Sequence, residues 1–147
     1  MRVNGEWLEC EDGEIRPVVH GMVRLANGQW LEVAFLLDGG ADRTVFSPDF
    51  FNLLQPMEIS ESEPSHLAGV GGQVNTITIA TALGFKKDDG RPAMVQGTFR
   101  VFTESESADL PVLGRDVTNN FSVVYDYPDQ TVALLAPPHY YEIKKAS

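Results

Sequence analysis

Two carboxylates, Asp38 and Asp42, enclose the small residues Gly39, Gly40 and Ala41 directly after the apolar run Val33-Ala34-Phe35-Leu36-Leu37. A buried strand that breaks into so tight a turn would leave Asp38 partly desolvated and hydrogen-bonded by turn amides, which is the environment that moves carboxylate pKa values. Such a group can act as a general acid or base. The same five residues also suit an aspartate that ends a strand and caps a turn, because Asp and Gly are common there.

Two further segments bear on that choice. "HLAGVGGQVNTITI", residues 66–79, places Gly69, Val70, Gly71 and Gly72 ahead of a strictly alternating strand. Glycines at a hairpin tip let the backbone lie close over a ligand; a plain β-turn would use the same residues. "LPVLGRDVTNNF", residues 110–121, takes an apolar run through Leu113 into Gly114 and then Arg115-Asp116. The planar fork of Arg115 fits a carboxylate, or an ordinary surface ion pair.

The elements that must position these residues are β-strands. Residues 18–25 and 30–37 are apolar, β-branched and aromatic runs joined by "ANGQ", whose Asn-Gly predicts a hairpin because both residues accept positive φ. Further strands are expected over 75–83 and 93–102, with "KKDDGRP" as the turn between them and "TESESADLP" as an exposed loop. "FSVVYDY" and "TVALLA" flank "PDQ" as a third hairpin. Helix is scarce: Ser47 as N-cap before Pro48 predicts one short helix over "SPDFFNLL", and "RDVTNNF" a second. Cys10 reads as a small strand residue, and Trp7 and Trp30 as packing residues. The C-terminal "APPHYYEIKK" suits either an interface strand or a disordered tail. The expectation is one all-β domain over residues 1–147, with 1–15 as an N-terminal extension, 16–136 as the core barrel and 137–147 as a tail.

Composition narrows the partners. The 147 residues carry 21 acidic and 11 basic side chains, a net charge of −10, which argues against a nucleic acid or an anionic membrane as partner. The single cysteine, Cys10, excludes an internal disulfide. His20, His66 and His139 lack metal-ligand spacing, so neither metal nor cofactor is expected. No apolar run approaches a membrane span, and the first residues lack the apolar core of a signal peptide, which makes the cytoplasm the expected location.

Taken together and in order, "RPVV" at residue 16, "FLLDGGADRTVFS", "GVGG" and "PVLGRDVTNNF" resemble the retropepsin-like aspartic protease family, over about 105 residues. The resemblance implies a small closed β-barrel with a glycine-tipped flap hairpin and one or two short helices. It implies that Asp38 is the catalytic aspartate. Gly40, Ala41 and Asp42 would contact substrate, Asp42 also pairing with Arg115, and Gly69, Val70, Gly71 and Gly72 would form the flap. Leu113 and Gly114 would back the catalytic turn.

Peptide hydrolysis by this family's route needs two carboxylates sharing a proton around one water. The chain holds one Asp-x-Gly-Ala turn, because Asp12-Gly13 and Asp89-Gly90 lack both the preceding apolar strand and the alanine. The second carboxylate must then come from a second copy, which makes a homodimer the expected active form and peptide or protein segments its substrates. Gly39 departs from the family, which places Thr or Ser there to donate across the dimer axis. Losing two such bonds per dimer, at roughly 0.5–1.5 kcal/mol each, would weaken association by about one or two orders of magnitude. The two readings are therefore an aspartic endopeptidase, its activity lowered by Gly39, and a catalytically weak or inactive peptide-binding or dimerisation module of the same fold. A third is an unrelated small barrel in which Asp38 only caps a turn.

Overall fold

The computed structural model describes residues 1–60, 66–69, 72–104, 110–140 and 142–144. Its strands, in chain order, are β1 (Arg2–Asn4), β2 (Glu6–Glu9), β3 (Ile15–Arg24), β4 (Trp30–Leu37), β5 (Val45–Phe46), β6 (His66–Gly69), β7 (Gly72–Lys86), β8 (Pro92–Phe102), β9 (Val112–Leu113), β10 (Ser122–Asp126) and β11 (Thr131–Leu135). Helix is confined to α1 (Phe51–Leu54), with a single 3-10 turn at either end, and to α2 (Arg115–Thr118).

One sheet runs β2-β3-β4-β9-β5-β8-β7-β6, and a further pairing of β3 with β7 closes its middle into a ring. The closure is narrow, consisting of Met22 opposite Gly84 and Val23 opposite Leu83. By contrast, β7 and β8 pair along their length, from Thr76 opposite Phe102 to Lys86 opposite Pro92. The expected all-β barrel is thus the observed architecture. A second sheet of order β1-β11-β10 packs beside it, and it draws the first residues of the chain into the fold.

Alternation decides which face each strand buries. Along β4, Val33, Phe35 and Leu37 point inward, and Phe35 meets Phe46 edge-on at 5.6 Å and Phe85 at 6.0 Å between ring centroids. Val19, Val23, Leu54, Ile79, Leu83, Val101, Leu113 and Val117 complete the core. Truncating Phe35 to alanine would cost about 3–5 kcal/mol through lost burial and the cavity left behind. Trp7 is a packing residue, as expected: it lies edge-on to Tyr127 at 5.1 Å and shares its indole N–H between the carbonyls of Asp126 and Thr131. That pins β2 across the second sheet. Trp30 remains partly exposed against Gly84.

Three tight turns share one construction. In Cys10–Glu14, Leu25–Gln29 and Lys87–Arg91 the backbone N–H of the first residue donates to the carbonyl of the fifth, and that of the fourth, a glycine, donates to the carbonyl of the first at 2.9 Å. Gly13, Gly28 and Gly90 take φ of 83, 86 and 84°, where a β-carbon is strained. The third residue, Asp12, Asn27 or Asp89, accepts from the backbone N–H of the fifth.

The expected "ANGQ" hairpin joins β3 to β4, with Gly28 at positive φ and the Asn27 carboxamide capping the turn. Two local expectations are corrected here. Cys10 lies just past β2 in the first of these turns, its thiol donating weakly to the Leu8 carbonyl. Ser47 stands at an N-cap position before Pro48 but makes no capping bond, and its hydroxyl is buried without a partner; the single 3-10 turn that follows offers no N–H aligned to receive it. The expected flap lies on a real hairpin, with β6 antiparallel to β7 and Gly69 opposite Gly72, whereas Val70 and Gly71 lie outside the described residues. Residues 137–140 and 142–144 carry no strand.

Candidate active site

The turn at Asp38 forms because two separate segments grip it. β4 runs parallel to β9, with Leu36 opposite Val112 and Leu37 opposite Leu113, and the pairing continues beyond the strand as the Asp38 N–H donates to the Leu113 carbonyl at 3.3 Å. The chain then turns back on itself: Ala41 N–H donates to the Asp38 carbonyl at 3.1 Å, and Gly40 N–H donates to the Asp38 carboxylate at 2.9 Å. On the far side, the Arg115 and Asp116 N–H groups donate to the carbonyls of Ala41 and Asp42 at 2.8 and 3.2 Å.

Arg115 joins the two halves. Its guanidinium donates to the Gly39 carbonyl at 2.9 Å and forms an ion pair with Asp42, the pairing expected from the sequence. Gly114 is required by approach: a β-carbon there would stand 2.6 Å from the Arg43 carbonyl oxygen. Leu113 is fully buried beneath the turn. Asp38, Gly39, Gly40, Ala41, Asp42, Leu113, Gly114 and Arg115 are therefore assembled in one place, with the β6–β7 hairpin as a separate element.

One expectation about Asp38 fails. Its carboxylate accepts a turn amide, as anticipated, but the residue is exposed in the single chain rather than partly desolvated. The cause is its place at the very end of β4, where the barrel wall stops. Gly39 is equally open, and a β-carbon built on it meets no atom within 4 Å.

Beneath the turn lies a polar brace that the sequence did not reveal. The Asp116 carboxylate accepts from the Thr44 N–H through both oxygens at 3.0 Å, and from the Thr44 hydroxyl at 2.7 Å. The same hydroxyl accepts from the buried Gly114 N–H at 3.1 Å. Thr44 is fully buried, and each polar atom of its side chain and amide is satisfied, which is what makes such burial tolerable. No local signal links residues so far apart in sequence.

Tyr125 on β10 was also missed. Burial pushes its phenol up from the ordinary value, and the Asp38 carboxylate adds to the effect. Trp7 lies against its ring at 6.4 Å. On another side, a cavity of about 590 Å³ opens beside Leu36 and is lined by Leu8, Cys10, Arg16, Asp49 and Leu110. Among the described residues no group of three or more His, Cys, Asp or Glu could hold a metal ion, and no helix is long and apolar enough to cross a membrane.

No protein-family model matches the sequence, and no curated protein matches it. The solved structures similar to this chain include two proteases. EIAV protease complexed with the inhibitor HBY-793 is 26% identical over 75% of this chain and 91% of that one, with a TM-score of 0.48. A retropepsin-like aspartic protease from Rickettsia conorii is 13% identical over 91% of this chain and 88% of that one, with a TM-score of 0.52. The second shares the course of the chain over nearly the whole of both molecules, so the fold is retropepsin-like.

Proposed function

We propose that the chain is an aspartic endopeptidase that works as a homodimer, with one Asp38 from each copy. The observation that carries this reading is the state of Asp38: an exposed carboxylate at the end of a buried strand, in a turn held from both sides by residues 111–116, within a retropepsin-like fold. A carboxylate that only capped a turn would not need a second segment to fix its backbone.

In the dimer, two Asp38 carboxylates brought together cannot both ionise, and so they share a proton. The ionised one takes a proton from the water between them, while the protonated one polarises the peptide carbonyl. The water oxygen adds to the carbonyl carbon, and the tetrahedral intermediate collapses as the C–N bond breaks and the Asp38 carboxyl that took the water's proton gives it to the leaving nitrogen. Gly40 and Ala41 keep the turn low beneath an extended peptide, and Asp42 is oriented by Arg115 toward the peptide main chain. The hairpin at Gly69, Val70, Gly71 and Gly72 closes over the substrate as a flap, pairing with it as an added strand does. The cavity beside Leu36 receives a substrate side chain.

The second reading, a module that binds peptides or dimerises without efficient cleavage, is favoured by Gly39. It supplies no hydroxyl to lock one turn to the other, so the dyad is held by less than in relatives with Thr or Ser. The test is cleavage of a mixed peptide library between about pH 3 and 7, where a shared-proton pair is active, by the native chain and by Asp38→Asn. Cleavage that a statine-type mimic blocks and that Asp38→Asn lacks is the expected result. A dimer that cuts nothing overturns the protease reading in favour of the module.

A further inference from the structure

Beside the catalytic turn lies a small cavity of about 90 Å³ lined by Arg43, Thr44, Thr78, Thr98 and Arg100. Arg43 follows Asp42 directly in the chain. Arg100 reaches the same place from β8, where its backbone N–H donates to the Thr44 carbonyl at 3.2 Å and its residue lies opposite Thr78. The cavity wall is therefore continuous with the brace that supports the turn.

Two facts make this an unusual place for two guanidinium groups. The chain as a whole is strongly acidic, with a net charge of −10, yet among the described residues no carboxylate forms an ion pair with Arg43 or Arg100. Moreover, Nη1 of Arg100 is buried and has no hydrogen-bond partner. A buried donor on a charged group carries a desolvation cost that a ligand acceptor relieves once the guanidinium turns toward the cavity. The Thr44 hydroxyl is already committed to Asp116 and Gly114, so the arginines set the character of the cavity. Its volume of about 90 Å³ has room for a small polar group. A carboxylate has that size, the opposite charge and the geometry for a guanidinium fork.

We propose that this cavity receives the carboxylate of an acidic side chain of the bound peptide, and so sets a preference for Asp or Glu at one substrate position. The inference rests on the reading of the chain as a peptide-binding protein of retropepsin-like fold, whether or not it cleaves what it binds. Arg43 and Arg100 are specificity residues in this account and do not touch the reacting atoms.

The test uses pairs of C-terminally amidated peptides, drawn from a library the native chain cleaves, that differ only by Asp or Glu against Asn or Gln at one position. Amidation leaves the side chain as the source of the carboxylate, and a free-terminus copy of each neutral peptide reads the alternative source, the chain end. At one position the acidic peptide should show a kcat/KM about tenfold to a hundredfold above its amide twin, the range of a charge-assisted hydrogen bond. That ratio should collapse toward one in Arg100→Gln and fall in the exposed Arg43→Gln, with far-UV circular dichroism confirming the fold of each. A ratio near one at all positions in the native chain, a ratio that survives in both variants, or a preference seen only for the free terminus overturns the inference. If no peptide is cut, the same ratio is read from fluorescence anisotropy of labelled pairs binding the native chain. An acid preference lost in Arg100→Gln then upholds the cavity while the protease reading fails; absence of preference or of binding removes both.

Discussion

Thr44 and Asp116, 72 residues apart in sequence, are joined by three hydrogen bonds that use the Thr44 amide, the Thr44 hydroxyl and both oxygens of one carboxylate. This brace ties the exit of the Asp38 turn to α2, and through Gly114 to the segment that grips Asp38. Asp116→Ala would strand a buried N–H and a buried hydroxyl, at about 1–3 kcal/mol for each unsatisfied group. The urea unfolding midpoint should fall accordingly, with Asp116→Asn less affected because it keeps an acceptor. An unchanged midpoint in Asp116→Ala would show that the brace contributes nothing to stability.

Gly39 has room for a side chain, since a β-carbon there meets nothing within 4 Å. Gly39→Thr should therefore fold without strain and restore a hydroxyl next to Asp38. Two added hydrogen bonds per dimer, at roughly 0.5–1.5 kcal/mol each, should tighten association by about one to two orders of magnitude. Sedimentation equilibrium of both chains reads this directly, and equal dissociation constants would count against the role assigned to position 39.

The first turn supplies a pH signature. Its Asp12 carboxyl is held down to about 2, first by the two hydrogen bonds from the Arg16 guanidinium and then by the Glu14 N–H. A carboxyl lowered on folding adds stability that is full above its unfolded value of 3.8 and is lost as pH falls through its folded value near 2. Between those limits the native chain should lose more stability than Asp12→Asn. Denaturant titrations at a series of acidic pH values measure the difference, and parallel curves would exclude the effect.

Tyr125 offers a reporter on the Asp38 carboxylate. Its phenol is raised, first by burial and then by the Asp38 charge, so it should ionise above the ordinary value of 10.0. A raised phenol lends stability that is full below the unfolded value of 10.0 and lost as pH rises through the folded value. Ultraviolet difference titration should show Asp38→Asn bringing the Tyr125 transition part of the way down. A transition indifferent to Asp38 would place the ring outside the influence of that carboxylate.

Much of the fold was legible in the sequence because its signals are local. The alternation along residues 30–37 fixes which face of β4 is buried, and the Asp/Asn-Gly pairs at 12–13, 27–28 and 89–90 build turns of one design. The first of these joins β2 to β3 within residues 1–15, where no apolar run marks the strand before it. The segments around Asp38 and Arg115 were legible for a different reason: each is a short run whose residue types match a known arrangement. What the sequence withheld are relations between distant residues. The Thr44–Asp116 brace, the approach of Tyr125 and the convergence of Arg43 with Arg100 depend on how β5, β8 and β10 are brought together. The exposure of Asp38 was misjudged because an apolar run says that a strand is buried, not where along it the barrel wall ends.

The barrel is shut by two residue pairs between β3 and β7, while β7 itself continues for fifteen residues, from the hairpin at Gly72 past that seam to Lys86. One unbroken ribbon thus spans from hairpin to seam, a distance on the order of 35 Å at about 3.3 Å per residue. Eleven rungs bind β7 to β8, whereas two close β7 against β3. Amide protection at Val23 and Leu83 should therefore report how readily that seam opens.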